Sequence, residues 1–459
     1  MEVLSTIWGG IVAFFGFVSG LGPSVVMPII LFIMGFLLKA GGGKALRAGL
    51  TVGVGFIGLN LVIGMMGSNL GPAVQQMSER FGLSLSVIDV GWPAAAAIAF
   101  ASQVGAIIIP VCLIVNILML LINATQTIDI DIWDYWHFAF TGALVAILTG
   151  SQGLGIAAAV LNEVIVLVLG DYTAPGLEKY NDLPGISLPH GFTTAFVPGA
   201  IVLNKVIDLI PGINKIEIDM TKLQKRFGVF GEPILVGTVL GLIIGIVAGK
   251  DVAGVLGLGV TLGAVLVLIP KMAAMLMEGL VPISDAASEF ISTRFKSRGK
   301  IYIGLDSAVG IGHPTTLAVS LVLVPLTVFI AVVLPGNKVL PFADLAVIPW
   351  MFVLIIPIVK NNGFRALIIG FFTLLVGLWI ATDLAPMITQ AAVNAKFEIP
   401  TGADQISSIC DGANPLTWAI VRLHNFGYIG TGIVALIAAG LAVINRSRII
   451  KEAKAVHSA

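Results

Sequence analysis

The stretch GLDSAVGIGHPTT, residues 304–316, places Asp306 and His313 among glycines within a strongly apolar chain. An ionised carboxylate inside a bilayer costs roughly 2.5–3.5 kcal/mol by insertion measurements, so an acidic residue at that depth is a candidate functional group. Glycine neighbours allow a ligand to approach the backbone closely. We therefore expect Asp306 to line a polar site. The alternative is an anchor at the membrane edge, paired with Lys300.

Histidines adjoin three apolar segments: His137 in DYWHFAFTG, His190 in LPHGFTT and His313 in GHPTT. Imidazoles and the neighbouring threonine hydroxyls both donate and accept hydrogen bonds, as the hydroxyls of a polyol require. For His137 the alternative is an interfacial belt, in which residues 134–137 place polar tips at the lipid headgroups. Trp92 has two interpretations as well, an aromatic wall of the site or an interfacial anchor.

The composition shows which solvent surrounds these residues. The chain has 459 residues, of which 57% are hydrophobic and only 11% charged, whereas a soluble protein carries about 25% charged residues. Apolar runs of about 20 residues, long enough to cross a bilayer as a helix, occur along the whole chain. The composition therefore predicts an all-α polytopic membrane protein.

Hydropathy divides the chain into eleven predicted spans, of which the fourth and fifth are short for a full crossing. They lie near 21–38, 49–68, 103–124, 137–150, 154–170, 229–249, 254–277, 317–335, 341–359, 365–384 and 426–445.

Basic residues predict the orientation, because cytoplasmic loops carry an excess of Lys and Arg. With the N-terminus outside, twenty of the 25 basic residues fall inside and five outside. The five outside are Arg80, Lys250, Lys338, Lys396 and Arg422. An odd number of crossings then places the C-terminus in the cytoplasm.

Several apolar stretches between the spans are too rich in Gly and Pro to be simple helices: 20–28, 89–103, 183–199, 278–284 and the opening stretch 304–316. Irregular backbone at membrane depth requires protein or a watery cavity around it. Interrupted segments in both halves of a chain indicate the substrate site of a transporter. HGFTT and HPTT add a faint internal repeat. We therefore expect re-entrant or broken segments around a central site, with Glu278 and His313 as additional candidates.

Motifs for other chemistry are absent from the sequence. It contains no P-loop, no HExxH and no G-x-S-x-G pattern, which argues against ATP hydrolysis, proteolysis and ester hydrolysis by the chain itself. Cys112 and Cys410 stand apart without metal-ligand spacing, so we expect free, structural thiols. Equal numbers of acidic and basic residues, 25 each, imply no nucleic-acid partner. We expect neither a metal nor a cofactor.

Several blocks in one order resemble a known family: DVGWP, DIDIWDYWHFAFTGAL, the PHG of LPHGFTT, KRFGVFGEP, IGLD, VLPGNKVLPFADLA and NPLTW. They resemble the galactitol-type membrane component, IIC, of the bacterial phosphoenolpyruvate-dependent sugar phosphotransferase system, in its ascorbate/galactitol branch. The similarity runs from about residue 10 to about residue 450.

The resemblance implies one IIC domain over residues 1–459, built from inverted repeats at about 10–227 and 228–385 and a final helix at about 426–445. It also implies a homodimer in the bacterial cytoplasmic membrane, with a core domain for the sugar and a second domain for the dimer contact. A separate IIB subunit, whose cysteine receives phosphate from IIA, would phosphorylate the sugar. We expect IIB to dock on the cytoplasmic basic loops.

The resemblance also assigns a sugar cavity, lined by Asn60, Trp92, His137, Thr141, His190 and Asp306. Thr141 and Gly191 stand where the ascorbate carriers have glutamines, and Trp92 replaces a tyrosine. These departures disfavour ascorbate and favour an uncharged polyol.

The functional hypothesis is a polyol permease subunit that performs no catalysis alone. In it, Asp306 is a binding contact, or Asp306 or a neighbouring histidine is the base that accepts the proton of the attacking hydroxyl. One alternative is an ion-coupled secondary transporter, in which Asp306 binds a proton or cation. A second alternative is a membrane-embedded enzyme that needs no partner.

Overall fold

A computed structural model describes residues 23–37, 39–81, 85–129, 131–217, 232–295, 301–311, 313–401 and 403–458. Helices account for most of this chain, as the composition predicts, and six strands of two or three residues accompany them. The initial residues and the basic stretches KLQKR and KSRGK lie outside the described residues.

Helices of the first half are α1 (Pro23–Leu37), α2 (Gly42–Phe81), α3 (Trp92–Ala101), α4 (Gly105–Leu121), α5 (Tyr135–Thr149), α6 (Gln152–Tyr180), α7 (Gly191–Ala195) and α8 (Val197–Asp208). Those of the second half are α9 (Pro233–Ala248), α10 (Val252–Phe295), α11 (Ala308–Ile311), α12 (Pro314–Val333), α13 (Ile348–Phe352), α14 (Ile355–Ile358), α15 (Gly363–Asn394), α16 (Ile409–Gly412), α17 (Pro415–Leu423) and α18 (Tyr428–Ser458). The strands are β1 (Val87–Asp89), β2 (Thr127–Asp129), β3 (Ile186–Ser187), β4 (Tyr302–Gly304), β5 (Val339–Leu340) and β6 (Gln405–Ser407).

The six strands form two parallel sheets, in the orders β5-β1-β6 and β2-β4-β3. In the first sheet Val87 pairs with both Val339 and Gln405. In the second, Ile303 pairs with Ile128 and Ile186. Each sheet therefore takes its central strand from one half of the chain and both outer strands from the other half.

Strand positions also change the interpretation of the HGFTT and HPTT echo. His190 and His313 are both N-cap residues, of α7 and α12. His190 nevertheless follows the outer strand β3, whereas His313 comes after the central strand β4. The position of His190 after an outer strand corresponds instead to that of Asp411 after β6.

Four helices, α1, α2, α9 and α10, pack mainly against one another. Glycines at every fourth position of α9 permit the close approach of α10, as is common between membrane helices. A Cβ added at Gly237 or Gly241 would lie 2.6 Å from the backbone oxygen of Leu262 or Leu258. The strands pack mainly against α4, α6, α12 and α15, outside this four-helix unit.

Among the described residues, five helices are long and apolar enough to cross a membrane, or six if the bent pair α3–α4 is one span. The five segments are Gly42–Leu70, Gln152–Tyr180, Pro314–Val333, Gly363–Asn394 and Tyr428–Glu452. These segments support a polytopic membrane protein, while the total of eleven stays a prediction.

Three broken segments were predicted correctly, and the described parts of two others are helical. At 89–103, β1 is followed by α3 and α4, which meet at a bend of 91°, whereas residues 23–28 of the stretch 20–28 lie within α1. The backbone is interrupted at 183–199, by β3 and the short helix α7, and again around 304–313. The stretch 278–284 is instead continuous helix within α10, which passes through Pro282 without a break. The predicted span 341–359 is divided between a 3-10 turn, α13 and α14.

Two buried carboxylates hold the first sheet to the segments that follow its strands. Asp89 accepts hydrogen bonds from the backbone N–H groups of Gly91, Phe342 and Asp344, at 3.1, 3.0 and 2.9 Å. Asp344 accepts from the N–H of Trp92 at 2.6 Å, the hydroxyl of Ser408 at 2.5 Å and the N–H of Cys410 at 3.0 Å. These bonds satisfy backbone donors that the broken helices leave free.

Asp171, buried in α6, holds the second sheet. It accepts hydrogen bonds from the N–H of Gln126, the hydroxyl of Thr127 and the amide of Asn445, at 2.9, 2.7 and 2.6 Å. The carboxylate thus ties β2 to both α6 and α18.

We predict that Asp344→Ala markedly lowers the midpoint of thermal unfolding in detergent. The change removes the acceptor of three buried donors, and each unsatisfied donor costs about 1–3 kcal/mol. Asp383→Ala is the matched control, because Asp383 also accepts from several donors, on Trp418 and Arg422, but is 44% exposed, so water can replace it and the loss is about 0–1 kcal/mol. Equal shifts in the two variants would contradict the role of Asp344.

Candidate functional site

A polar cluster forms where the strands end. Parallel strands present their carboxyl ends at one edge, a frequent position for ligand sites. Each of the six strands is followed within four residues by a polar or aromatic side chain: Trp92, Asp131, His190, Asp306, Asp344 and Asp411. Four of these residues, Asp131, His190, Asp306 and Asp411, contact one another or Asp134, the N-cap of α5, and His137 within α5.

His137 and Asp411 form the shortest ionisable pair of the cluster. His137 Nδ1 lies 2.7 Å from Asp411 Oδ2, and both side chains are at most 1% exposed. Asn414 Nδ2 donates to Asp411 Oδ1 at 2.9 Å and to the Gly191 carbonyl oxygen at 3.1 Å. Asn414 therefore fixes the carboxylate and the start of α7 together.

His190 caps α7, because its Nδ1 accepts a hydrogen bond from the N–H of Thr193 at 3.4 Å. Its Nε2 lies 3.8 Å from Asp134 Oδ1 and 3.9 Å from Asp306 Oδ1. The ring centroids of His137 and His190 are 4.4 Å apart. These spacings exceed direct hydrogen-bond lengths, so His190 Nε2 bonds directly to neither carboxylate.

Asp306 lies inside this cluster. Its Oδ1 accepts from the N–H of Ala308 at 2.6 Å and from Trp350 Nε1 at 3.4 Å. Its own backbone N–H donates to Asp131 Oδ2 at 3.2 Å. Lys300, the partner in the edge-anchor alternative, lies outside the described residues. The side chain of Asp306 is 20% exposed, so the cluster reaches solvent there.

Residues 134–137 are not an interfacial belt. Asp134 and Tyr135 are fully buried, and Trp136 and His137 are 1% exposed. Within the described chain, neither carboxylate oxygen of Asp134 has a hydrogen-bond partner. Burying a polar group without a partner is costly, so Asp134 is available to a ligand.

The hydroxyl of Thr141 is surrounded by protein partners. It lies 2.8 Å from the Thr417 hydroxyl, accepts from Asn162 Nδ2 at 2.8 Å and reaches the His137 carbonyl oxygen at 3.2 Å. Thr141 therefore supports α5 one turn behind His137, and its hydroxyl is not free for a substrate.

The other predicted site residues are more scattered. The Trp92 ring packs edge-on against Trp133, with centroids 6.1 Å apart. His313 caps α12 through the N–H of Thr315 at 3.3 Å, and no contact joins it to the cluster in the described residues. Asn60 lies in α2, with a side chain outside those described, and Glu278 is exposed on α10.

Gly191 allows α7 to approach α5. A Cβ added at Gly191 would lie 2.4 Å from the Cβ of His137. Real Cβ atoms do not approach so closely, so only glycine fits without displacing His137. The glutamine that the ascorbate carriers have at this position has no room in the present arrangement.

Comparison with known proteins identifies the family. The family model of the PTS system sugar-specific permease component matches residues 16–402. The chain is 40% identical to the galactitol-specific EIIC component of Escherichia coli K12 over 409 residues, which is 89% of this chain and 90% of that protein. This chain belongs to the sugar-specific permease family of the phosphotransferase system.

Two more relatives agree with this family. The galactitol-specific EIIC component of E. coli O157:H7 has the same identity, 40%, over the same shares of the two chains. A further E. coli K12 protein, described only as a candidate permease IIC component, is 40% identical over 95% of this chain and all of its own. As a member of this family, the chain is a multi-pass membrane protein that takes a sugar substrate and works together with the IIA and IIB subunits.

Four acidic site residues of this permease were not predicted from the sequence. Asp131, Asp134 and Asp411 belong to the cluster, and Asp344 supports it. A signal for them was present in the sequence. The rule that acidic residues within the membrane are functional candidates singled out Asp306, and it would have singled out DIDIWD and CDG as well. The strands were missed because two or three residues show no periodicity.

A metal ion bound through His190 would disturb the hydrogen bonding of the cluster. Ligand atoms of Asp134, His137 and His190 lie within 4.8 Å of one another. A metal at His190 Nε2 requires a lone pair there, so the proton would move to Nδ1, which now accepts from Thr193. Metal binding would thus cost the cap of α7, whereas a hydroxyl group leaves it intact.

We predict that Gly191→Ala destabilises the permease by about 1–3 kcal/mol, because the added methyl group overpacks the contact with His137. Gly199→Ala is the control, since nothing lies within 4 Å of a Cβ there. Thermal unfolding of the two purified variants measures the difference. A Gly191→Ala midpoint equal to that of Gly199→Ala would show that His137 has room to move.

Proposed function

We propose that the chain is the sugar-alcohol permease subunit of a phosphotransferase system and carries a galactitol-like polyol across the bacterial cytoplasmic membrane for phosphorylation by a separate IIB subunit. The single observation that carries this proposal is the buried cluster of Asp131, Asp134, Asp306, His137 and His190, whose spacing leaves polar atoms unsatisfied. The names of the E. coli relatives support galactitol as its ligand.

Carboxylates favour a neutral polyol over an anionic sugar. Ionised carboxylates only accept hydrogen bonds, and each hydroxyl of a polyol can donate one. An anion such as ascorbate would find only acidic and imidazole side chains in this cluster, none of which is a fixed cation that could offset its charge. The lack of room for a side chain at Gly191 supports the same preference.

The same lack of a fixed cation assists product release. Phosphorylation converts a neutral polyol into a dianion, for which the cluster of acidic and imidazole side chains offers no compensating charge. A charge that leaves water for a buried site without such a partner is strongly disfavoured there. Release to the cytoplasm is therefore favoured and return to the cluster disfavoured, so phosphorylation makes transport irreversible.

The proposed orientation, N-terminus outside and C-terminus cytoplasmic, rests on the charge distribution, and side-chain contacts support the grouping of segments that it uses. Arg365 bonds to Asn204 and Asp208 at 2.8 and 2.7 Å, in a region assigned to the cytoplasmic side. Arg80 bonds to the Val247 carbonyl oxygen at 3.1 Å, next to Lys250 on the other side. Both contacts join segments that the charge distribution places on one side.

The finer architecture is part of the proposal. Eleven spans built from two inverted repeats and a final helix agree with the reciprocal exchange of strands between the two sheets. A homodimer formed through α1, α2, α9 and α10 agrees with the separate packing of those helices. The phosphate donor would be a IIB phosphocysteine, docking on basic loops that include residues outside those described.

An ion-coupled transporter is the second candidate, favoured by the unpartnered carboxylate of Asp134. A proton or cation could neutralise that group in place of a substrate hydroxyl. The two functions differ in the chemical form of the solute that reaches the inside.

The test uses inverted membrane vesicles or liposomes that contain the permease, labelled galactitol and purified IIA and IIB with a phosphoenolpyruvate-driven phosphate supply. We expect only phosphorylated galactitol in the cytoplasmic compartment, and none when IIB is omitted. Unchanged galactitol, accumulated in response to an ion gradient without IIB, would establish the symporter instead. A phosphorylated product formed by the permease alone would indicate a membrane-embedded enzyme.

Of the two roles expected for Asp306, we propose the binding contact, because its Oδ1 already accepts two hydrogen bonds and its Oδ2 is left for a hydroxyl. Asp306→Asn exchanges a charged acceptor for a neutral one, worth about 1.5–3 kcal/mol. Galactitol affinity should then fall about 10- to 150-fold. Equilibrium binding of labelled galactitol to purified protein checks this, and unchanged affinity with slow phosphorylation would make Asp306 the base.

A further inference from the structure

The hydrogen bond of His137 to Asp411 determines where the proton of the imidazole resides. A carboxylate only accepts, so His137 Nδ1 carries the hydrogen and Nε2 carries the lone pair. His137 Nε2 is buried and has no hydrogen-bond partner among the described residues. A basic nitrogen thus faces the cluster without an internal partner.

The imidazole of His190 has the opposite tautomer. Its Nδ1 accepts from the N–H of Thr193, so its Nε2 carries the hydrogen and points between Asp134 and Asp306. With the two rings 4.4 Å apart, the site presents a nitrogen acceptor beside a nitrogen donor. A hydroxyl group can donate to His137 Nε2 while a second oxygen of the same polyol accepts from His190 Nε2.

We propose, building on the function proposed above, that His137 is the general base of phosphoryl transfer and that Asp411 is its positioning residue. The attacking hydroxyl oxygen forms a bond to phosphorus, and the bond between phosphorus and the sulfur of the partner's phosphocysteine breaks. The electron pair of that bond leaves on sulfur as a thiolate. The hydroxyl proton passes to His137 Nε2, and the imidazolium formed is stabilised by the Asp411 carboxylate until the thiolate or water takes the proton.

The burial of the pair explains why Asp411 has this effect. An imidazolium inside an apolar protein is costly unless a carboxylate lies in contact with it. Asp411 Oδ2 is 2.7 Å from His137 Nδ1, and Asn414 holds the other oxygen at 2.9 Å. Loss of the orienting carboxylate of an Asp–His pair costs about 10⁴-fold in kcat in serine proteases, because the imidazole takes the wrong tautomer.

Asp411→Asn should invert the tautomer here. Asn414 Nδ2 donates to position 411, so the new amide places its oxygen toward Asn414 and its NH₂ group toward His137. His137 Nδ1 then accepts, Nε2 carries the hydrogen, and the base is lost without a change in size.

The experiment measures galactitol affinity and the single-turnover rate of phosphoryl transfer from phosphorylated IIB, with purified full-length permease at saturating galactitol. We expect Asp411→Asn to bind galactitol within about tenfold of the original protein and to transfer phosphate at least about 100-fold more slowly, the contribution of general-base catalysis. Asp383→Asn, an exposed carboxylate outside the site, should keep the original rate.

His137→Gln keeps the test decisive if Asp411→Asn does not fold. This variant also lacks a base, so it should lose the rate and keep most of the affinity. In the double variant, Asp411→Asn should add almost nothing to His137→Gln, because Asp411 acts through His137.

Three results would overturn the inference. One is a rate within threefold of the original in either single variant, and another is a parallel loss of affinity and rate, which would make the pair a binding element. The third is a multiplicative loss in the double variant. If the original protein binds galactitol but transfers no phosphate, the proposed function fails together with the base. An active original protein with an equally active Asp411→Asn variant refutes only the base.

Discussion

Backbone N–H groups freed where helices break must find acceptors inside the protein, and this requirement shapes the whole molecule. In lipid no water is available to them, so each unsatisfied group costs several kcal/mol. Side chains placed just beyond the strands supply the acceptors: Asp89 and Asp344 in the first sheet, His190 and Asp306 beyond the second. The residues that complete the fold and those that form the polar cluster are therefore partly the same.

The two sheets use this arrangement differently. Beyond the first sheet, Asp344 accepts three hydrogen bonds from protein donors, so its carboxylate has little capacity left for a ligand. Beyond the second, the carboxylate of Asp134 has no partner in the described chain, and Asp306 uses one oxygen only. The two sheets thus end in two different centres. The carboxylate beyond the first has its hydrogen bonds satisfied by protein, and those beyond the second do not. The unsatisfied centre is the one suited to exchange a ligand.

The sequence predicted the class of protein and part of the site, for identifiable reasons. Composition and long apolar runs are local signals, and they led to a helical membrane protein. His137, His190 and Asp306 were found because a polar group in an apolar, broken stretch is unusual. Asp411 was missed because its partner His137 lies 274 residues away, and no local pattern reports such a contact. The continuous helix α10 was predicted too short because its polar end fell below the hydropathy expected of a span.

Neutral sugar alcohols offer neither charge nor aromatic surface, so recognition must come from the number and direction of hydrogen bonds. Buried donors and acceptors that only the ligand satisfies discriminate strongly, because an analogue that lacks a hydroxyl leaves them without a hydrogen bond. Sites of this kind reject such an analogue by about 10⁴–10⁵-fold. The opposite tautomers of His137 and His190 orient a bound hydroxyl rather than supply most of the affinity, since the polyol donates at one ring and accepts at the other. Asp411 and Thr193 set those directions. The network that orients the hydroxyl therefore also holds the nitrogen that takes its proton.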